Sequence, residues 1–113
     1  MQRDALTYLY DIQQAASLVA QFADGRNFDE YLADIMLRSA IERQFEIIGE
    51  AMSQLAKLDA ALARRISEHQ RIIGFRNILV HAYASIDNGL VWEAIQTKLP
   101  ILRREIDELL AEP

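Results

Sequence analysis

A chain of 113 residues, half of them hydrophobic and about a quarter charged, has the size and composition of one globular domain, residues 1–113, and not of a disordered or fibrous protein. It contains no cysteine, which excludes disulfide staples, thiolate zinc sites and cysteine nucleophiles and points to a reducing, cytoplasmic setting. The formal charge of −5 opposes nucleic-acid binding, yet Arg64, Arg65, Arg71 and Arg76 against Glu68 give the stretch 64–81 a charge of +3, with −8 elsewhere; a basic patch on an acidic body and a solvated helix face both remain open.

The first residues, Met1-Gln2-Arg3-Asp4, are polar and lead into an amphipathic pattern, so no secretion signal is expected. No apolar run approaches the roughly 20 residues that cross a bilayer. The longest, around Ile72 to Tyr83, is broken by Arg76, Asn77 and His81, so a soluble protein with no membrane contact is expected. From Asp4 to Ala23, the residues Leu6, Leu9, Ile12, Ala16, Val19 and Ala23 recur at helical spacing, with Asp4 as a candidate cap and Gly25 as the stop. After the turn at Asp24–Asn27, a second pattern runs from Asp29 to Leu58 through Leu32, Ile35, Met36, Ile41, Phe45, Ile48, Met52 and Leu55. It predicts one helix of roughly 45 Å. Gly49 inside it costs about 1 kcal/mol relative to alanine, which suggests a close approach by another backbone.

Asp59 then reads as the cap of a short helix to Ile66. Ser67-Glu68-His69-Gln70 has the form of a capping box that opens the next helix, which carries Arg76 and His81; His69 reads as a surface residue on it. Ala84–Gly89 reads as a turn. A last helix follows through Leu90, Trp92, Ile95, Leu99, Leu102, Ile106 and Leu109, with Pro100 kinking it or restarting it at a first-turn position. Nothing reads as a strand, so the expected fold is all-α, a bundle of about four main helices plus a short one.

The chemistry narrows by elimination. The two histidines stand in no metal motif, so no metal or other cofactor is expected. The four glycines are too scattered for a phosphate loop, and no serine lies in a nucleophile elbow. What remains is the helix around His81. On it Asn77 and His81 lie about 40° apart and Arg76 and His81 about 140° apart, so a long arginine side chain can reach the shared face, while Ile78, Leu79 and Val80 anchor the helix in the core. Histidine moves protons near neutral pH, arginine stabilises charge on a phosphoryl group, and asparagine can orient the imidazole or the substrate. This is a metal-free kit for cutting RNA. Spacing alone leaves structural roles open, with Arg76 paired to Glu46 or Glu50, His81 structural and Tyr83 half-buried packing.

Gly74-Phe75-Arg76-Asn77-Ile78-Leu79-Val80-His81-Ala82-Tyr83 resembles the R-x4-H-x-Y signature of the HepT-like HEPN ribonuclease toxins. Upstream, residues Ala40 to Ala51 resemble that family's long second helix with its E-x-x-G-E-A core. Downstream, Asp87, Val91-Trp92 and Leu99-Pro100 fall where the family has them. One departure is that Ser67-Glu68-His69-Gln70 replaces the proline-tryptophan pair that often precedes the motif helix.

The resemblance implies a HEPN-type helical bundle that forms a homodimer with both R-x4-H motifs facing a shared cleft. It further implies a toxin-antitoxin pair of type II or VII kind, in which the ribose 2′-hydroxyl attacks the adjacent phosphorus. His81 and Arg76 are then catalytic, Asn77 supports them or binds RNA, and a nucleotidyltransferase antitoxin transfers AMP onto Tyr83. A non-enzymatic helical partner of a nucleotidyltransferase is the alternative, and a purely structural dimerisation domain a third.

Overall fold

The computed structural model describes residues 1–81 and 85–113. Among these the chain forms α1 (Arg3–Ala23), α2 (Phe28–Ala33), α3 (Ile35–Leu58), α4 (Ala60–Ala63), α5 (His69–His81), α6 (Asn88–Glu93), a π-helical turn (Ala94–Lys98) and α7 (Leu99–Ala111), with no strand. The all-α expectation holds, in a bundle built around α3. Helices α1, α2, α4 and α5 pack against α3, and α7 packs against α1. Leu9, Ile12 and Val19 of α1, Ile41, Ile48, Met52 and Leu55 of α3, and Ile106 of α7 form the buried centre. No helix among the described residues is long and apolar enough to cross a membrane.

Helix α1 buries Ala5, Leu9, Ile12, Ala16, Val19 and Ala23, so its inner face begins at Ala5, with Leu6 only half-buried. Asp4 does not cap it. The N-cap is Gln2, without a side-chain bond, and Asp4 lies in the first turn, where its charge complements the helix dipole. Gly25 ends the helix as expected, at a φ of 72° that only glycine adopts cheaply.

The single long helix expected over 29–58 is two. Asn27 and Glu30 close a capping box on α2, and the Asp34 side chain accepts the Leu37 N–H at 3.1 Å to start α3. Asp34 is extended, at φ −109° and ψ 99°, because a cap residue must leave helical geometry to bond an orphan N–H of the following turn. The break rotates the register. Tyr31 and Leu37 turn inward, whereas the predicted Leu32, Ile35 and Met36 are exposed, Met36 by 80%. Tyr31 stacks on Trp92 with ring centroids 5.3 Å apart, joining α2 to α6. Burial holds its phenol well above the ordinary tyrosine range, and its hydroxyl has no hydrogen-bond partner among the described residues.

Asp59 caps α4 by accepting the Leu62 N–H at 3.0 Å, though that helix stops at Ala63 rather than Ile66. At the far end, Asp87 caps α6 through the Gly89 and Leu90 N–H groups. Pro100 falls in the first turn of α7, the second of the two outcomes expected for it, and the π-helical turn just before it absorbs the change of register.

Candidate active site

Helix α5 is positioned by a contact that only a glycine permits. A Cβ on Gly49 would lie 2.1 Å from the Arg76 Cβ and 3.1 Å from the Ile72 carbonyl oxygen, so α3 and α5 meet at the stem of Arg76. The close approach expected from a mid-helix glycine is therefore to the motif helix itself. Phe45 and Phe75 pack edge-on beside it, centroids 5.3 Å apart, and Leu79 is the one fully buried residue of α5. The other two residues of the expected anchor differ. Val80 is half-buried and Ile78 is 55% exposed, because α5 rests chiefly on α3 and a helix packed on one neighbour buries one stripe.

The start of α5 also departs from expectation. Ser67 does not form a capping box with Gln70. Its N–H and Oγ both donate to the Glu105 carboxylate of α7, at 2.9 and 2.6 Å. Glu68 takes a left-handed φ of 56°, its carbonyl accepts the Arg71 and Ile72 N–H groups, and its carboxylate meets Lys98 at 3.0 Å and Arg71 at 3.1 Å. Lys98 foremost, then Arg71, hold this carboxyl below the usual range. Where the resembled family often has proline-tryptophan, α7 thus clamps the entry to the motif helix. His69, the first residue of α5, is half-buried rather than freely exposed.

The Arg76 guanidinium lies in a cleft of about 440 Å³ between α1, α3 and α5, lined by Tyr8, Asp11, Arg43, Glu46, Glu50 and Gln54 among others. Its Nη2 meets Glu50 Oε2 at 3.2 Å and its Nη1 donates to Asn77 Oδ1 at 3.0 Å. Glu50 is held in turn by Gln54, whose Nε2 donates to Oε1 at 3.1 Å. Arg43 and Glu46 pair at 3.3 Å. One turn earlier on α3, burial raises the Glu42 carboxyl above the usual range, with Arg38 opposing and Glu46 reinforcing.

The structure brings Arg76 and Asn77 together through the Arg76 Nη1 to Asn77 Oδ1 hydrogen bond. No hydrogen bond joins His81 to either among the described residues, and His81 is exposed at the last position of α5. The Asn77 side chain bonds the Arg76 guanidinium. Tyr83 lies outside the described residues. Three of the four arginines of the basic stretch are paired with carboxylates, Arg65 with Glu112, Arg71 with Glu68 and Arg76 with Glu50. No three His, Asp or Glu side chains converge to hold a metal ion among the described residues. Gln54, Tyr8 and Asp11 carried no sequence signal beyond the i, i+4 relation of Gln54 to Glu50, because the others reach the cleft through long-range packing.

Comparison with known proteins decides what this arrangement belongs to. The family described as ribonuclease HepT-like matches residues 12–109. This chain belongs to the HepT-like ribonucleases. Membership makes it a ribonuclease with RNA as its substrate, and the matched span takes in the whole of α3 and α5 and α1 from Ile12 onward. A relative in Methanocaldococcus jannaschii, provisionally named an RNase, is 33% identical over 105 residues, 93% of this chain and 95% of its own length. Another so named, from Caldanaerobacter subterraneus subsp. tengcongensis, is 30% identical over 103 residues, 91% of each chain. A third, from Thermococcus cleftensis and provisionally named ribonuclease HepT, is 29% identical over 109 residues, 96% of this chain and 98% of its own. No solved structure gives a significant match.

Proposed function

We propose that this HepT-like ribonuclease is a metal-independent endoribonuclease toxin in which His81 and Arg76 carry the reaction. The observation that supports this most is the tethered Arg76 guanidinium, held by Glu50 and Asn77 on the same helix that ends in an exposed His81. In the reaction, the ribose 2′-oxygen attacks the adjacent phosphorus and the P–O5′ bond breaks. One proton leaves the 2′-hydroxyl and one reaches the departing 5′-oxygen, giving a 2′,3′-cyclic phosphate and a 5′-hydroxyl end. His81 handles protons, Arg76 stabilises the phosphorane-like charge, and Asn77 supports Arg76.

Two proton transfers call for two proton-handling groups, and His69 stands twelve residues from His81 on the same helix, about 18 Å along its axis. A symmetric homodimer places a second His81 in a shared cleft, which equilibrium sedimentation checks: a mass near 13 kDa instead of twice that would remove it. The chain acts as the toxin of a pair whose nucleotidyltransferase antitoxin modifies Tyr83 with AMP, adding phosphate charge that repels RNA. After co-expression with that antitoxin, the Tyr83 peptide should gain mass in AMP units. An unmodified peptide in a neutralised complex would point to steric masking.

The central experiment is cleavage of labelled single-stranded RNA by the purified chain in EDTA. Cleavage products that carry 2′,3′-cyclic phosphate ends are expected, and Arg76→Ala should abolish them. If the chain instead forms a tight complex with the antitoxin, cuts no RNA and shows no toxicity when expressed alone, it is a non-enzymatic binding subunit.

A further inference from the structure

We propose that Glu50, oriented by Gln54, is a positioning residue that holds Arg76 in its reactive place; this rests on the reading of Arg76 as the residue that meets the scissile phosphate. Gln54 Nε2, Glu50 Oε1 and Oε2, Arg76 Nη2 and Nη1, and Asn77 Oδ1 form one continuous chain of contacts at 3.1, 3.2 and 3.0 Å. The stem of Arg76 is pressed onto Gly49, so its Cβ and Cγ have no room to move toward α3. Only the guanidinium can swing. Its Nη1 spends one of the five N–H donors on Asn77 and its Nη2 is ion-paired with Glu50, which leaves further donors for an oxyanion.

Both oxygens of Glu50 are engaged within the chain. A carboxylate acting as the base that takes the 2′-proton would need one of them, and would have to release Gln54 or Arg76. Nor does Glu50 block the arginine, because its contact is to a single nitrogen. Holding the fork in one orientation before substrate arrives is a recognised source of rate, and a misplacement of about 1 Å costs about 100-fold. A pair exposed to this degree, 31% for Arg76 and 50% for Glu50, contributes little to folding. The effect on rate and the effect on stability are therefore separable.

Glu50→Ala is expected to lower kcat on labelled single-stranded RNA by about 10- to 100-fold, with KM changed much less and the melting temperature within about 5 °C of the parent. Glu50→Gln keeps one acceptor oxygen and should retain an intermediate rate with a pH profile of unchanged shape. In nitrogen-15 spectra the Arg76 Nη signals should be resolved by slow guanidinium rotation in the parent and averaged in Glu50→Ala, a readout independent of cleavage. Loss of one limb of the pH profile in Glu50→Gln would make Glu50 a proton-transfer group and overturn the proposal. So would Arg76 Nη signals that stay resolved in Glu50→Ala, or full activity of that variant while Arg76→Ala is inactive. Full activity of Arg76→Ala would instead remove the reading of Arg76 on which the proposal rests.

Discussion

Replacing His81 with alanine is expected to lower RNA cleavage by about 10²- to 10⁴-fold, the usual worth of a positioned proton-transfer group, while the protein stays folded. The side chain is exposed at the last position of α5 and makes no hydrogen bond among the described residues. Its loss therefore opens no cavity and orphans no buried partner among the described residues, so the change in stability is small. The melting temperature should move by no more than a few degrees. The chain has one other histidine, and His69→Ala is the matched control. That residue sits at the opposite end of α5, beside the Glu68 cluster that meets Lys98, and its replacement should leave the cleavage chemistry intact. If His81→Ala cuts RNA at the parent rate under EDTA, the histidine has no part in proton transfer and the proposed mechanism fails.

Gly49→Ala is expected to destabilise the fold and to reduce cleavage together. The added Cβ would meet Arg76 Cβ at 2.1 Å and Cγ at 2.8 Å, with the Ile72 carbonyl at 3.1 Å. None of these is the free end of a flexible side chain, so α5 must retreat from α3 as a body. Overpacking of this kind costs about 1–3 kcal/mol and more where backbone moves. The gain of about 1 kcal/mol from removing a glycine inside a helix offsets only part of it. Retreat of α5 also loosens the Phe45–Phe75 contact and carries the Arg76 stem away from Glu50, so activity falls further than stability alone explains. Gly74 supplies the contrast on the other side of α5, where an added Cβ meets nothing within 4 Å. Gly74→Ala should be neutral or stabilise by about 0.5–1 kcal/mol. Equal melting temperatures for the two variants would show that the Gly49 contact does not position the helix.

The two predictions rest on features that differ in how far they could be read in advance. Composition and periodicity determined the all-α class, the inner faces of α1, of α3 beyond Ile41 and of α7, the cap at Asp59, and a kink or restart at Pro100. Each of these depends on residues within a turn or two of one another. The R-x4-H stretch and Gly49 were likewise legible as features, although not as a contact between them. Tertiary structure decided the rest. Asp34 could continue a helix or cap one, and the burial of Tyr31 against Trp92 accompanies the choice that turned Leu32, Ile35 and Met36 outward. Ser67 had a local partner in Gln70 and a distant one in Glu105, and it bonds the distant one. Ile78 looked like core because it is apolar, but α5 rests on α3 along a single stripe and Ile78 lies off it. Arg76 could pair with Glu46 or Glu50, and the crossing at Gly49 gave it Glu50. Short-range sequence specifies which faces a helix has; which partner each face meets is set by packing between segments far apart in the chain.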